Sequence, residues 1–327
     1  MNETIRIVPT EPKYVDACAD IALRAWVPIY ESFRRCLGDE IYELLYSDWQ
    51  ERKVTYTQTM HATGNALVAL EGTRVVGYVS YLLKGERGQI VGNAVDPDMH
   101  GKGISRLLYT AAFDKMREAG CRFVQVNTGL DESHAPARRA YNKVGFEKNL
   151  PTVLYYQMLE PKAAPLPTCG NGVQVIPCQE EHLEDCVRIT LTTWTNTHAI
   201  YTQHLGEKLH DMVHANWQEK ITKAVRTAQS SGRGYVAVAD GKVVGFASYR
   251  TEDTIGVIGY NAVDPQCRGR GIAGLLYGML LNQMREIGCQ CARVHTGLDA
   301  AHASARRAYE KVGFTKNLPE ISYFMEL

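Results

Sequence analysis

Apolar positions along the chain fall into two patterns, short runs of period two and longer runs recurring at three and four residues. An alternating segment opens the chain at Ile5 and Ile7 and returns at Val173 and Val175, closed by Pro9 and Pro177. Each predicts a half-buried strand. Two helical segments follow, around 12–34 and 39–61 in the first half. Then come two apolar runs about a turn: Ala66–Leu70, Glu71-Gly72 and Arg74–Leu82, and later Tyr235–Ala239, Asp240-Gly241 and Val243–Tyr249. Asp-Gly between apolar runs predicts a hairpin. A further strand at Gln89–Val95 and at Val257–Val263 precedes a glycine-bearing loop. The helix after it carries apolar residues at 104, 107, 108 and 111, and at 272, 275, 276, 279 and 280. That is the stripe of a half-buried helix, with Gly120 and Gly288 placed to close it in the left-handed cap conformation. Strands at 121–128 and 289–296 lead to Gly-Leu-Asp, where Asp131 or Asp299 can cap the next helix. That helix ends at Gly145 or Gly313, and a strand near 153–159 or 321–327 finishes each half. Strands alternating with helices predict an α/β fold with a mixed sheet.

The two halves are copies. Asn93-Ala94-Val95-Asp96-Pro97 returns as Asn261-Ala262-Val263-Asp264-Pro265, 168 residues later, and the offset holds without a gap from Met1/Cys169 to Leu159/Leu327. About 38 of 67 positions match between 93–159 and 261–327, but only about 21 of 92 between 1–92 and 169–260. One part of each copy was kept and the other drifted, the pattern of shared chemistry with altered recognition or of a common structural need in the kept part. The expected domains are 1–159 and 169–327. Between them Glu160–Thr168 carries three prolines in nine residues, an extended, semi-stiff linker.

Composition narrows the class. Lys plus Arg and Asp plus Glu number 36 each, so no net charge favours nucleic acid or an anionic membrane as a partner. No stretch approaches the roughly 20 apolar residues of a membrane span, and Met1-Asn2-Glu3-Thr4-Ile5-Arg6 lacks the apolar core of a signal peptide. Nine scattered cysteines suit reduced thiols in a cytoplasm better than a disulfide framework.

Two segments carry candidate chemistry. The loop after the fourth strand reads His100-Gly101-Lys102-Gly103-Ile104-Ser105 in copy one and Arg268-Gly269-Arg270-Gly271-Ile272-Ala273 in copy two. Glycines there let a backbone approach a ligand, and N–H groups at a helix N-terminus favour an anion such as a pyrophosphate. The same spacing also serves as a plain tight turn. The second segment is Ala137-Arg138-Arg139-Ala140-Tyr141 through Gly145-Phe146, matched by Ala305-Arg306-Arg307-Ala308-Tyr309 through Gly313-Phe314. Tyr141 and Tyr309 are compatible with core packing as well as with proton transfer.

Together these segments resemble the GNAT family of acetyl-CoA-dependent N-acetyltransferases, over essentially the whole chain. The resemblance implies two tandem GNAT-like domains, each a mixed, mostly antiparallel sheet flanked by helices. The family's pyrophosphate motif is Arg/Gln-x-x-Gly-x-Gly/Ala, which Arg268, Gly271 and Ala273 satisfy; copy one departs from it at His100 and Ser105. His134 and His302 stand where the family often has an asparagine that contacts the cofactor. The resemblance further implies acetyl-CoA as co-substrate, with no metal. Backbone N–H groups near Asn93, Ala94 and Val95, and near Asn261, Ala262 and Val263, would stabilise an oxyanion. Tyr141 and Tyr309 would protonate the departing thiolate. Many relatives carry a glutamate base on the fourth strand; none lies within 89–95 or 257–263, which leaves His295 or a relay water for that role. Copy one has Asn127 at the position of His295.

The drifted halves are expected to hold the acceptor. Trp26 and Tyr30 in copy one, and Trp194 and His198 in copy two, enclose an organic amine or belong to the core. His210 and His214, four apart on a helix, read as a solvated face, not a metal pair. The expected activity is acetylation of a primary amine of a small molecule, with protein N-termini or lysines as the alternative acceptors. A different class stands beside it: one copy as a non-catalytic acyl-CoA-binding or structural module. GNAT domains commonly pair, so the resemblance implies an intramolecular pseudo-dimer of the repeats, or a homodimer of chains.

Overall fold

The computed structural model describes residues 4–167 and 172–327. Met1, Asn2 and Glu3, part of the N-terminal reading, Thr168 at the end of the linker and Cys169, where the second repeat begins, lie outside the described residues. The first repeat forms β1 (Ile5–Pro9), α1 (Val15–Leu37), α2 (Asp39–Tyr46), α3 (Trp49–Ala62), β2 (Ala66–Glu71), β3 (Arg74–Lys84), β4 (Arg87–Val95), α4 (Ile104–Glu118), β5 (Phe123–Gly129), α5 (Ala135–Lys143) and β6 (Lys148–Met158). The second forms β7 (Val173–Pro177), α6 (Leu183–Leu205), α7 (Glu207–Val213), α8 (Trp217–Gln229), β8 (Gly234–Ala239), β9 (Lys242–Glu252), β10 (Ile255–Val263), α9 (Ile272–Glu286), β11 (Cys291–Gly297), α10 (Ala303–Lys311) and β12 (Lys316–Glu326). The helix expected over 39–61 is broken at Ser47-Asp48. Short polar side chains compete for the backbone there, and the Asp48 carboxylate pairs with Arg52 of α3 at 2.8 Å.

The compact units are not the repeats. Unit 1 comprises residues 4–150 with Pro319–Leu327, and unit 2 comprises Pro151–Leu318. The domain bounds 1–159 and 169–327 therefore differ from the observed ones at the last strand of each repeat. In unit 1 the sheet order is β1-β2-β3-β4-β5-β12, with β12 antiparallel to β5 in the register Ile321↔Thr128 and Tyr323↔Val126. In unit 2 the order is β7-β8-β9-β10-β11-β6, with Val153↔Thr296 and Tyr155↔Val294. Among the described pairings within each unit, β4–β5 and β10–β11 are parallel and the others antiparallel, so each sheet is mixed and mostly antiparallel.

Each sheet is covered on both faces. In unit 1 the α4 stripe of Ile104, Leu108, Phe113 and Met116 packs with Val76, Val79 and the arriving Ile321 and Tyr323. On the other face Cys18, Ile21 and Ala22 of α1 pack on Val68, Tyr78 and Ala94. Unit 2 repeats this with Ile272, Leu276, Leu280 and Met284 of α9, and with Cys186 and Ile189 of α6 on Val236 and Phe246. Gly120 and Gly288 hold φ of 81° and 84° after α4 and α9, as the cap pattern predicts. Among the described residues no helix is long and apolar enough to cross a membrane.

One buried charge fixes the exit of β4. The Asp96 carboxylate is 1% exposed; it accepts from Arg24 at 2.9 Å and Arg74 at 2.7 Å and caps the backbone N–H of Asp98 at 3.1 Å. The Arg24 guanidinium above all holds it well below the usual carboxylate range, against desolvation. A depressed folded pKa means stability that is complete above the unfolded value of about 4 and is lost as pH falls toward the folded value. Asp96→Asn should destabilise unit 1 by about 1–3 kcal/mol at neutral pH, toward the lower end because both arginines reach solvent. Its denaturation midpoint should fall less steeply than that of the unaltered chain below pH 4. Parallel acid limbs in the two proteins would show that Asp96 does not carry this linkage.

Candidate active site

In each unit the parallel strands part. β4 and β5 pair from Arg87↔Phe123 to Ile90↔Val126. β4 then keeps only its pairing with β3, through a register shift at Val91, as far as Gly77↔Val95. β10 leaves β11 after Ile258↔Val294, with its shift at Gly259-Tyr260. A bulge bends and re-aims a strand, and here it opens a wedge bordered by Asn93–Val95 in unit 1 and Asn261–Val263 in unit 2.

An asparagine and two tyrosines cluster on each parted stretch. In unit 1 Tyr109 donates to Asn93 Oδ1 at 3.0 Å, and Asn93 Nδ2 donates to Tyr141 Oη at 3.0 Å. In unit 2 Tyr277 and Tyr309 both donate to Asn261 Oδ1, at 2.7 and 3.1 Å, and Asn261 Nδ2 donates to the Gly259 carbonyl at 2.8 Å. Tyr141 and Tyr309 are each 2% exposed. Desolvation raises both phenols, although the bonds to the asparagine and to the other tyrosine lower them. Both are therefore protonated at neutral pH. The role of the asparagines and of Tyr109 and Tyr277 was missed in the sequence, although all four are identical at the repeat offset.

The loop beyond β4 and β10 fits an anion. Gly103 and Gly271 are the N-cap residues of α4 and α9, with φ of 76° and 82°, without a side-chain cap and without an acidic residue in the first turn. A left-handed φ favours glycine there. The helix N-terminal N–H groups and dipole favour a phosphate, and a Cβ on Gly101, Gly103 or Gly269 would meet nothing within 4 Å. Ile104 and Ile272 are buried, so they contribute backbone only, while Ser105 and Ala273 are half-buried. Lys102, Arg268 and Arg270 are exposed around the loop. His100 lies with Nε2 3.2 Å from the Val95 carbonyl. His134 and His302, expected at a cofactor contact, bond Asp131 and Asp299 through Nδ1 at 2.5 and 2.7 Å. Each ring crowds the last residue of β5 or β11: a Cβ on Gly129 or Gly297 would lie 2.4 or 2.5 Å from Nδ1.

The drifted halves build an aromatic wall in each unit, and in unit 1 it meets His134. Tyr30 of α1 stacks on Trp49 of α3 at 4.1 Å, 19° apart, and meets Phe33 and Tyr46 edge-on at 5.6 Å. His134 stands edge-on to Trp26 at 6.2 Å and faces Phe33 at 6.0 Å. In unit 2 His198 stacks on Trp217 at 3.9 Å, 16° apart, and Tyr201 on His214 at 5.3 Å. Trp194 is 6.1 Å from His198, and His198 Nδ1 lies 3.0 Å from His210 Nε2. The solvated-face reading of His210 and His214 is thereby corrected: His210 is 8% exposed, and both rings pack inside the wall because the turn between α7 and α8 folds them onto α6. The wall is one device in two chemistries, since Tyr30, Tyr42, Tyr46 and Trp49 become His198, His210, His214 and Trp217 at the repeat offset. Tyr42, Tyr46, Trp49 and Trp217 were not among the residues expected around the acceptor; the tryptophan pair kept at the repeat offset amid drift was the signal. His295 sits one residue past the parting of β10 and β11 with its surface exposed, and partial desolvation of the ring, then Arg293 and His302, lower its pKa.

The acetyltransferase (GNAT) family model matches residues 26–146 and 186–314. No curated protein is similar to the chain in sequence at a significant level. Solved structures of similar fold include a GCN5-related N-acetyltransferase from Sphaerobacter thermophilus, at 16% identity and TM-score 0.58, covering 98% of this chain and 95% of that one. A tandem GNAT protein from the clavulanic acid biosynthesis pathway aligns at 16% identity and TM-score 0.52, covering 99% and 98%. Two family matches, each spanning a parted strand pair, its loop and its tyrosine, show that this chain belongs to the GNAT family of acetyltransferases as two such domains in tandem.

Proposed function

We propose that both units transfer an acetyl group from acetyl-CoA to a primary amine of a small molecule. The observation that carries this is the joint presence, in both units, of the uncapped glycine-led helix N-terminus and the Asn–Tyr cluster on the parted strand. The acyl thioester would supply the acetyl group. Backbone groups of residues 101–105 and 269–273 would hold the pyrophosphate, with Lys102, Arg268 and Arg270 adding charge. Tyr141 and Tyr309 would hold the proton that goes to the sulfur as the C–S bond breaks and the C–N bond forms. The amine proton leaves to a base, for which His295, uncharged at neutral pH, is the candidate in unit 2. On this reading a small organic acceptor would lie against the aromatic walls that hold Trp26, Tyr30, Trp194 and His198. Eight described cysteines, all free, favour a reducing compartment such as the cytoplasm.

His100 and Ser105 do not alter the loop: Gly101 and Gly103 hold φ of 81° and 76° against 78° and 82° for Gly269 and Gly271. Calorimetric titration of acetyl-CoA should therefore give two sites per chain. One site would limit binding to one unit, and none would remove the acetyl-CoA reading altogether.

A further inference from the structure

Lys53 is the one residue of the aromatic wall whose charge has no counterpart. It lies on α3 one turn after Trp49, and its Nζ sits 3.1 Å from the centroid of the Trp26 ring. Trp26 in turn touches His134 beside the end of β5. Among the described residues no carboxylate lies within ion-pair distance of Lys53, whereas Arg34 and Arg52, on the same helices, each bond an acidic partner. The ring face offsets part of the lost hydration, but a half-buried ammonium among aromatic rings remains short of a counter-charge. Desolvation accordingly pulls its pKa down to about 7. At the repeat offset the position is Ile221, 6% exposed and part of the unit 2 core. The unit 2 wall is also without charge at neutral pH at His198 and His214, which burial lowers to about 3 and about 4.

Resting on the acetyl-transfer reading, we propose that unit 1 selects amines that also carry a carboxylate, with Lys53 as the counter-ion of that group, and that unit 2 lacks this selection. An anionic ligand group placed against Lys53 would complete a charge-assisted hydrogen bond inside a low-dielectric wall. The acceptor class this favours in unit 1 is that of amino acids and related amino carboxylates.

The test is the full-length chain with matched pairs of acceptors, each an amino acid and its own carboxamide, read as kcat/KM for acetyl-CoA-dependent thiol release. The ratio of acid to amide cancels effects on folding and on the thioester. Lys53→Met should lower that ratio at least tenfold, and Lys53→Arg, which keeps the charge, should retain most of it. An unchanged ratio in Lys53→Met overturns the assignment while leaving acetyl transfer intact. Equal loss of acids and amides in both variants also overturns it, and would make the lysine a proton-transfer or structural group. If the unaltered chain acetylates no member of any pair, this inference fails, while the acetyl-CoA titration decides separately whether the functional reading beneath it stands.

Discussion

Replacing both tyrosines, Tyr141→Phe with Tyr309→Phe, should lower acetyl transfer by about 10²–10⁴-fold, the usual contribution of a positioned acid, while calorimetry still counts the same acetyl-CoA sites. The geometry separates these effects. Each phenol is buried against the parted strand, whereas the anion loop begins beyond it at residue 100 or 268. The single variants then apportion the activity between the units, since each leaves the other tyrosine in place. They need not fall equally. The Tyr141 oxygen accepts from Asn93, so its own proton lies outside that bond, while Tyr309 spends its proton on Asn261 Oδ1, which Tyr277 also occupies. Loss of the Tyr141 hydroxyl leaves Asn93 Nδ2 short of a partner, at an expected cost of about 1–3 kcal/mol to unit 1, whereas Asn261 Oδ1 keeps Tyr277 and unit 2 should lose less. Thermal unfolding read alongside turnover separates that cost from chemistry. Full turnover in the double variant would take the tyrosines out of the acid role.

The second large effect is on the fold. A chain ended after Leu318 should lose unit 1 and keep unit 2, although the residues removed belong to the second repeat. Ile321 and Tyr323 sit in the unit 1 core at 7% and 6% exposure, and withdrawal of each large side chain costs roughly 2–5 kcal/mol, against a total of about 5–15 kcal/mol for an ordinary domain. The paired edge of β5 goes with them. Hydrogen exchange mapped along the chain would read the result: protection should collapse across 4–150 and persist across 172–318. The opposite pattern would show that each repeat closes on its own strand. By the same logic residues 169–327 alone lack Val153, Tyr155 and Leu159 from the unit 2 core and should not fold stably.

Why that strand assignment escaped the sequence is instructive. Lys148-Asn149-Leu150-Pro151 and Lys316-Asn317-Leu318-Pro319 are identical, and an alternating strand satisfies either sheet equally well. Pattern fixes which face of a strand is buried; it does not say which sheet receives the strand. The succession of strands along the chain, the helix stripes, the left-handed glycine caps and the glycine-bearing turn before α4 and α9 were legible, because each depends on neighbours close in sequence. The Asn93–Tyr109–Tyr141 cluster was not, since its members lie 16 and 48 residues from Asn93 and meet only when β4 leaves β5. Lys53 was silent for a similar reason. A lysine on a helix reads as solvated until the wall around it is assembled.

The exchanged strands also set the order in which the chain can be finished on a ribosome. Vectorial synthesis usually lets an N-terminal domain close first. Here residues 4–150 must wait for residue 319, 169 residues later (319 − 150), or roughly 8–34 s at about 5–20 residues per second. Throughout that interval the outer edge of β5 stands open as a nascent strand edge. Unit 2, made second, already holds its borrowed strand when its own sheet emerges, so the first half of the protein is the last to be completed.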